Sequence, residues 1–111
     1  MFKAMMTMIS RAHAAAKVIE YVKPLFCGVG NIVINEAHVI EDENAWVFPY
    51  NTKEFLDTED LDFALMSNNP ILVCKRSGCL HHYTGSMTAR EMLSSFYKSG
   101  RPTNDSSESA R

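Results

Sequence analysis

The sequence Trp46-Val47-Phe48-Pro49-Tyr50-Asn51 places a large aromatic side chain at every second position. Side chains alternate between the two faces of a strand, so Trp46, Phe48 and Tyr50 are predicted to lie on one face. Such an alternating row is more often part of a core than a partner-binding patch, although both interpretations remain open here. Pro49 has no backbone N–H, so the strand is expected either to lie at a sheet edge or to stop pairing there.

Helix and strand patterns flank this aromatic strand on both sides. Apolar residues at three- and four-residue steps predict a first helix, and Asp42-Glu43-Asn44 predicts a hairpin turn into the aromatic strand. After the aromatic strand come short helical pieces in which Leu61, Leu65 and Phe63 supply an apolar side. The first helix is predicted at Thr7 to Val22, and a β-rich stretch with Ile32 to Ile34 and then Ala37, Val39 and Ile40 leads into the hairpin turn. The elements that follow the short helical pieces are a buried strand at Ile71 to Cys74, a turn at Gly78 into Leu80 to Thr84, and a last helix at Ala89 to Tyr97.

The order of these elements predicts an α+β fold. Two hairpins give an antiparallel sheet of about four strands, and the N- and C-terminal helices are expected to pack on one face of it, in two layers. With 111 residues the chain fits one domain, predicted at residues 1–99. Residues 100–111 are polar and are predicted to form a disordered tail, or a segment that orders when it contacts a partner.

The charge of the chain is distributed unevenly. Between Glu36 and Asp62 nine acidic residues face a single lysine, a local net charge of −8 in a chain whose total is −2. Phosphate would be repelled there, so nucleic-acid binding by this part of the chain is not expected, whereas a basic partner would be attracted. The alternative is a solvated face with acidic turn residues, which is common in proteins of any function.

The residues that usually carry chemistry do not form a recognisable site. The three cysteines, Cys27, Cys74 and Cys79, include no CxxC pair and fit a reducing cytoplasm; a disulfide between Cys74 and Cys79 is open but not favoured. His81 and His82 point to opposite faces if they lie in a strand, so no metal site is expected. No cofactor motif and no apolar run long enough to span a membrane occur. We therefore expect neither catalytic residues nor a cofactor.

Taken together, these pieces resemble a known family. The run Trp-x-Phe-x-Tyr-Asn, then Phe55-Leu56-Asp57-Thr58, Asn68-x-Pro70-Ile-Leu-Val and the hairpin at Gly78 are similar to the YrhB-like bacterial immunity proteins, the thirty-fifth group of predicted immunity proteins in polymorphic toxin systems. The similarity spans roughly Ala12 to Tyr97. In that family a Gly-Asn-Gly-Pro run usually precedes the apolar strand. Here Ser67 and Asn69 stand at the glycine positions, and asparagine tolerates the left-handed conformation, so a similar turn is expected.

The resemblance implies a function in competition between bacteria. Such a protein would bind a cognate toxin or effector domain made by the same cell and block its active site or its access to substrate. It implies no catalytic residues. Two alternatives from other classes remain: a small chaperone-like protein that holds unfolded clients, and a thiol enzyme that uses Cys74 or Cys79. The oligomeric state is open.

The predicted toxin-binding residues are of two kinds. Acidic side chains from the turn before the aromatic strand and from the short helical pieces would steer association, and exposed tyrosines would act as anchors. They are Glu41, Asp42, Glu43, Tyr50, Asp57, Glu59, Asp60, Asp62 and Tyr83.

Overall fold

A computed structural model describes residues 9–26, 28–66 and 68–99 of the chain. The predicted disordered tail at residues 100–111 and Cys27 lie outside the described residues. The helices are α1 (Arg11–Val22), α2 (Lys53–Thr58) and α3 (Ala89–Ser99), and the strands are β1 (Ile32–Ile34), β2 (Ile40–Glu41), β3 (Ala45–Phe48), β4 (Tyr50–Thr52), β5 (Ile71–Cys74) and β6 (Leu80–His81). Short 3-10 turns lie at Lys23–Phe26, Glu36–His38 and Leu61–Phe63.

The strands form two antiparallel sheets. One has four strands in the order β2-β3-β5-β6, and the other has two strands, β1 and β4. Both predicted hairpins are present, since β2 pairs with β3 and β5 pairs with β6. The α+β fold with helices at both ends is therefore confirmed. Among the described residues, no helix has the length and apolar character needed to cross a membrane.

Pro49 separates the two sheets. β3 ends at Phe48 and pairs with β2 and β5, whereas β4 begins at Tyr50 and pairs with β1. The carbonyl of Pro49 still accepts a hydrogen bond from the N–H of Asn35 at 2.9 Å. Because proline cannot donate, the chain changes its pairing partner at this residue. The expectation that pairing stops at Pro49 is confirmed.

The N- and C-terminal helices pack on opposite faces of the four-stranded sheet. α1 contacts the face that carries Trp46 and Phe48, whereas α3 packs with Val47 and Leu72 on the other face. The prediction that both helices share one face is wrong. All four residues of β3 and of β5 are buried, as expected of strands covered on both sides. The protein therefore has three layers rather than two.

Both terminal helices begin at side-chain caps. The Ser10 hydroxyl accepts a hydrogen bond from the His13 N–H at 3.0 Å, which satisfies a free donor at the start of α1. Before α3, the Thr88 hydroxyl accepts from the Glu91 N–H at 3.1 Å, and the Glu91 carboxylate accepts from the Thr88 N–H at 2.8 Å. This reciprocal pair is a capping box. Ser10 and Thr88 are thus the caps of α1 and α3.

Candidate functional site

The first candidate surface is the acidic turn, residues 41–44, between β2 and β3. Glu41 forms an ion pair with Lys75 at 2.7 Å, and Lys75 lies 5.0 Å from the centre of the Trp46 ring. The hydrogen bond and the charge of Lys75 hold the pKa of Glu41 below its usual value. Its carboxylate is therefore already engaged within the chain.

The rest of the acidic turn is tied to α3. The Tyr97 hydroxyl donates to the Asp42 carboxylate and accepts a hydrogen bond from the Asn44 side-chain amide at 3.1 Å. The bond to Asp42 raises the pKa of Tyr97. Glu43 is exposed and, among the described residues, forms no ion pair. Only one of the three predicted acidic residues of this turn thus presents an unengaged carboxylate.

The second candidate surface is the α2 loop, residues 57–66, which runs from the end of α2 to the segment before β5. Asp57 is ion-paired with Lys53 at 2.7 Å, one helical turn away. Glu59, Asp60 and Asp62 are exposed, and within the described part of the chain none of them has a cationic partner. The α2 loop is therefore the segment with the larger unneutralised negative charge.

The α2 loop also exposes large apolar side chains. Leu61 is 70% exposed, Met66 is 71% exposed and Phe63 is 41% exposed. Leu61, Phe63 and Leu65, which are predicted to supply one apolar side, differ in burial: Leu65 is buried, at 7% exposure, and the other two are exposed. The helix ends at Thr58, and the 3-10 turn that follows directs its side chains differently.

Asn51 and Thr52, both in β4, hold the α2 loop by hydrogen bonds to its backbone. The Asn51 side-chain oxygen accepts from the Leu65 N–H at 2.8 Å. The buried Thr52 hydroxyl donates to the Phe63 carbonyl at 2.7 Å and accepts from the Phe55 N–H at 2.9 Å, so it also caps α2. The loop is thus fixed on the sheet while its apolar side chains remain at the surface.

Glu59 ends α2 with a left-handed backbone, at φ 62°. Glycine favours this conformation and a residue with a Cβ does not, so the substitution Glu59→Gly should raise the free energy of unfolding by about 1 kcal/mol. Chemical denaturation would measure the change. The matched control is Glu59→Ala, which removes the carboxylate but keeps the unfavourable backbone, and should give no gain. If both variants gained the same stability, the Glu59 carboxylate and not the left-handed backbone would be what destabilises the wild-type protein.

The two predicted tyrosine anchors occupy a cleft rather than an open surface. Tyr50 is 3% exposed and belongs to the core with Trp46 and Phe48, so the aromatic row is core as predicted and the expectation that Tyr50 is exposed is wrong. Its ring lies 5.9 Å from that of Phe26. Tyr83 is partly buried, and burial raises the pKa of both tyrosines. The two residues line one cavity of about 410 Å³.

Two asparagine side chains line this cleft. Asn68 donates to the Tyr50 carbonyl at 2.8 Å, and Asn69 donates to the Tyr83 carbonyl at 3.0 Å. Asn69 does not adopt the left-handed backbone expected for it. Its side-chain amide instead links two loops by a hydrogen bond, which a glycine at this position could not form.

The two adjacent histidines point in opposite directions, as predicted. The His81 ring packs edge-on against Phe96 of α3 at 5.5 Å, whereas His82 contacts Tyr21 of α1, with 2.8 Å between the Tyr21 hydroxyl and His82 Nδ1. Among the described residues, no group of three or more histidine, cysteine or acidic side chains is placed to hold a metal ion.

Partial desolvation lowers the pKa of His82 below its ordinary value of 6.5, and because the residue is still exposed to solvent the effect on stability is small. When the pKa of a histidine is lower in the folded protein than in the unfolded chain, the fold keeps its full stability at pH values above the unfolded-state pKa. This stability is lost as the pH falls below the unfolded-state pKa, because the unfolded chain then binds the proton more readily. The free energy of unfolding should therefore decrease between pH 7.5 and pH 5, and should decrease less in the variant His82→Gln. Urea unfolding of both proteins at the two pH values tests this, since the other histidines contribute equally to both. The same decrease in both proteins would contradict it.

The two described cysteines differ in exposure. Cys74 is buried on the α3 side of the sheet, and Cys79 is exposed. Their backbones are directly hydrogen-bonded, with 3.0 Å between the Cys74 nitrogen and the Cys79 oxygen, yet both thiols are free. Burial keeps Cys74 from reaching a substrate.

The structure does not bring all the predicted site residues together. The acidic turn joins β2 to β3 in the four-stranded sheet, whereas the α2 loop follows β4 of the two-stranded sheet and α2. The Tyr50–Tyr83 cleft is a third location. Sequence reasoning missed the surface role of Leu61, Phe63 and Met66 because an apolar residue beside a helix is normally assigned to the core.

Comparison with known proteins gives one result that bears on function. No curated protein and no solved structure matches the chain. The family described as Immunity protein 35 matches residues 12–99, which include nearly all of α1, the whole of α3 and every strand between them. The chain therefore belongs to the immunity protein 35 family.

Proposed function

We propose that this protein is an immunity protein that binds one cognate bacterial toxin or effector domain and neutralises it. The observation that carries the proposal is the family match over residues 12–99, which spans all but the first three residues of the part of the chain that the structure describes. The protein acts by binding rather than by catalysis, and covers the active site of the toxin or its path to substrate. We place it in the cytoplasm, because three cysteines without a CxxC pair fit a reducing compartment.

The surface properties of the domain support a binding function. The α2 loop combines exposed apolar side chains with three carboxylates, those of Glu59, Asp60 and Asp62, that have no cationic partner among the described residues. Apolar side chains that meet another protein give affinity, and unneutralised charges speed encounter with a partner of opposite sign. An inhibitor that must capture a toxin before it acts needs both properties.

Co-expression with the toxin tests the proposal. The toxin domain encoded beside this gene should stop growth when produced alone and permit growth when this protein is produced with it. The purified proteins should form one stoichiometric complex, and an unrelated toxin domain serves as the control. Growth arrest that this protein does not relieve, together with no complex, would reject immunity. Weak capture of many heat-unfolded proteins in place of one toxin would support the chaperone-like alternative.

A further inference from the structure

We propose that the α2 loop is the toxin-docking surface, and that its occupant is a folded toxin face on which lysine and arginine side chains surround an apolar recess. This inference rests on the proposed function and names the surface through which the toxin is bound. Leu61, Phe63 and Met66 enter the recess, and Glu59, Asp60 and Asp62 pair with the surrounding cations. The acidic turn does not form the interface.

The exposed apolar side chains of the α2 loop identify where the contact lies. Leu61 and Met66 are the two most exposed large apolar residues of the described chain. Contiguous exposed apolar side chains with a polar rim mark interaction sites. These residues lie close in sequence to three exposed carboxylates, so one loop carries both the apolar and the charged side chains that interfaces commonly combine.

The rigid attachment of the α2 loop favours a preformed docking surface. The bonds from Asn51 and Thr52 to Leu65 and Phe63 fix the backbone before any partner arrives. Rigidity of this kind reduces the ordering cost of association, so more of the contact energy appears as affinity. A loop fixed in this way with its apolar residues facing outward is suited to a folded partner of fixed shape.

Charge selects the chemistry of the partner. Within the described residues, Arg11, Lys53 and Lys75 already pair with Glu36, Asp57 and Glu41. No cation in the described part of the chain pairs with Glu59, Asp60 or Asp62, and the Asp60 carboxylate accepts only the Asp62 N–H, so all three keep their negative charge for a cationic partner. The acidic turn offers less free charge, because Lys75 neutralises Glu41 and the Tyr97 hydroxyl bonds to Asp42.

Binding measurements with the purified cognate toxin test the assignment. The double variant Leu61→Ser with Met66→Ser should weaken binding by roughly 100-fold, mainly through faster dissociation, because exposed anchors of this kind dominate interfaces. The double variant Asp60→Asn with Asp62→Asn should slow association about tenfold at low salt, and the difference should shrink at high salt.

Matched controls come from other surfaces. Leu25→Ser replaces an apolar residue that is 52% exposed outside the α2 loop, and Glu43→Gln neutralises the free carboxylate of the acidic turn. Both should bind the toxin within about twofold of the wild type, as expected for residues outside an interface. Unchanged thermal unfolding of every variant confirms that each is folded, since all the replaced side chains are exposed.

The outcomes separate the two proposals. If the wild-type protein binds and protects but the α2 loop variants bind equally well, the docking surface is wrong and immunity stands. If Glu43→Gln slows association instead, the acidic turn is the docking surface. If the wild-type protein neither binds nor protects, immunity itself fails, and with it the docking proposal. A change in oligomeric state on substitution of Leu61 and Met66 would identify a second copy of this chain as the occupant and overturn the proposal.

Discussion

Replacing Phe48 with alanine is expected to lower the free energy of unfolding by about 3–5 kcal/mol. The Phe48 side chain is fully buried between the sheet and α1, and its ring lies 5.9 Å from that of Trp46. Removing it deletes buried apolar surface and leaves a cavity that the surrounding side chains fill only in part. Since small domains are stable by about 5–15 kcal/mol, this one change would remove a large part of the stability. Urea denaturation followed by circular dichroism measures it.

Phe63→Ala is the matched control for this experiment. It removes the same side chain from the α2 loop, where Phe63 is 41% exposed. The loss of stability should stay below about 1 kcal/mol, because partly exposed side chains contribute little to the fold. According to the docking proposal the same variant should bind the toxin more weakly. A loss of stability as large as that of Phe48→Ala would contradict the surface assignment of Phe63.

The second large effect is expected at Thr52. The substitution Thr52→Val keeps the volume of this fully buried side chain but removes its hydroxyl, which donates to the Phe63 carbonyl and accepts from the Phe55 N–H. Both backbone groups then lose a partner, and α2 loses its cap, at a combined cost of about 3 kcal/mol. Equilibrium unfolding gives the value.

Thr52→Ser separates the hydroxyl from the methyl group. Serine retains both hydrogen bonds and loses only one buried methyl, so its cost should be near 1 kcal/mol. Toxin affinity provides an independent reading, since Thr52→Val also releases the α2 loop while Thr52→Ser does not. If valine were tolerated as well as serine, the two hydrogen bonds would not be what holds the loop.

Local patterns were sufficient to predict most of the elements. The spacing of apolar residues predicted α1, and alternation identified Trp46, Phe48 and Tyr50 as one buried row. The placement of α3 was not predictable in the same way. The run from Ile71 to Cys74 is apolar at every position, which is typical of a strand that is buried on both faces. Only the position of this strand at the centre of the sheet shows that a helix must cover each face.

The candidate site was predicted less completely than the fold, because charge and exposure depend on distant residues. The engagement of Glu41 requires Lys75, which lies 34 residues away along the chain. The exposure of Leu61 depends on the end of α2, where Glu59 adopts a left-handed backbone. Glycine or asparagine usually marks such a position in a sequence, and neither is present here. Composition could identify an acidic region but not which of its carboxylates remain unpaired.

The way the α2 loop is held has a consequence for how such proteins diversify. Asn51 and Thr52 bind only backbone N–H and carbonyl groups of the loop, and every residue except proline carries both. The side chains at positions 61, 63 and 66 can therefore be exchanged without altering the attachment. If the α2 loop docks the toxin as proposed, point substitutions in the loop would change which toxin is recognised while the scaffold stays the same.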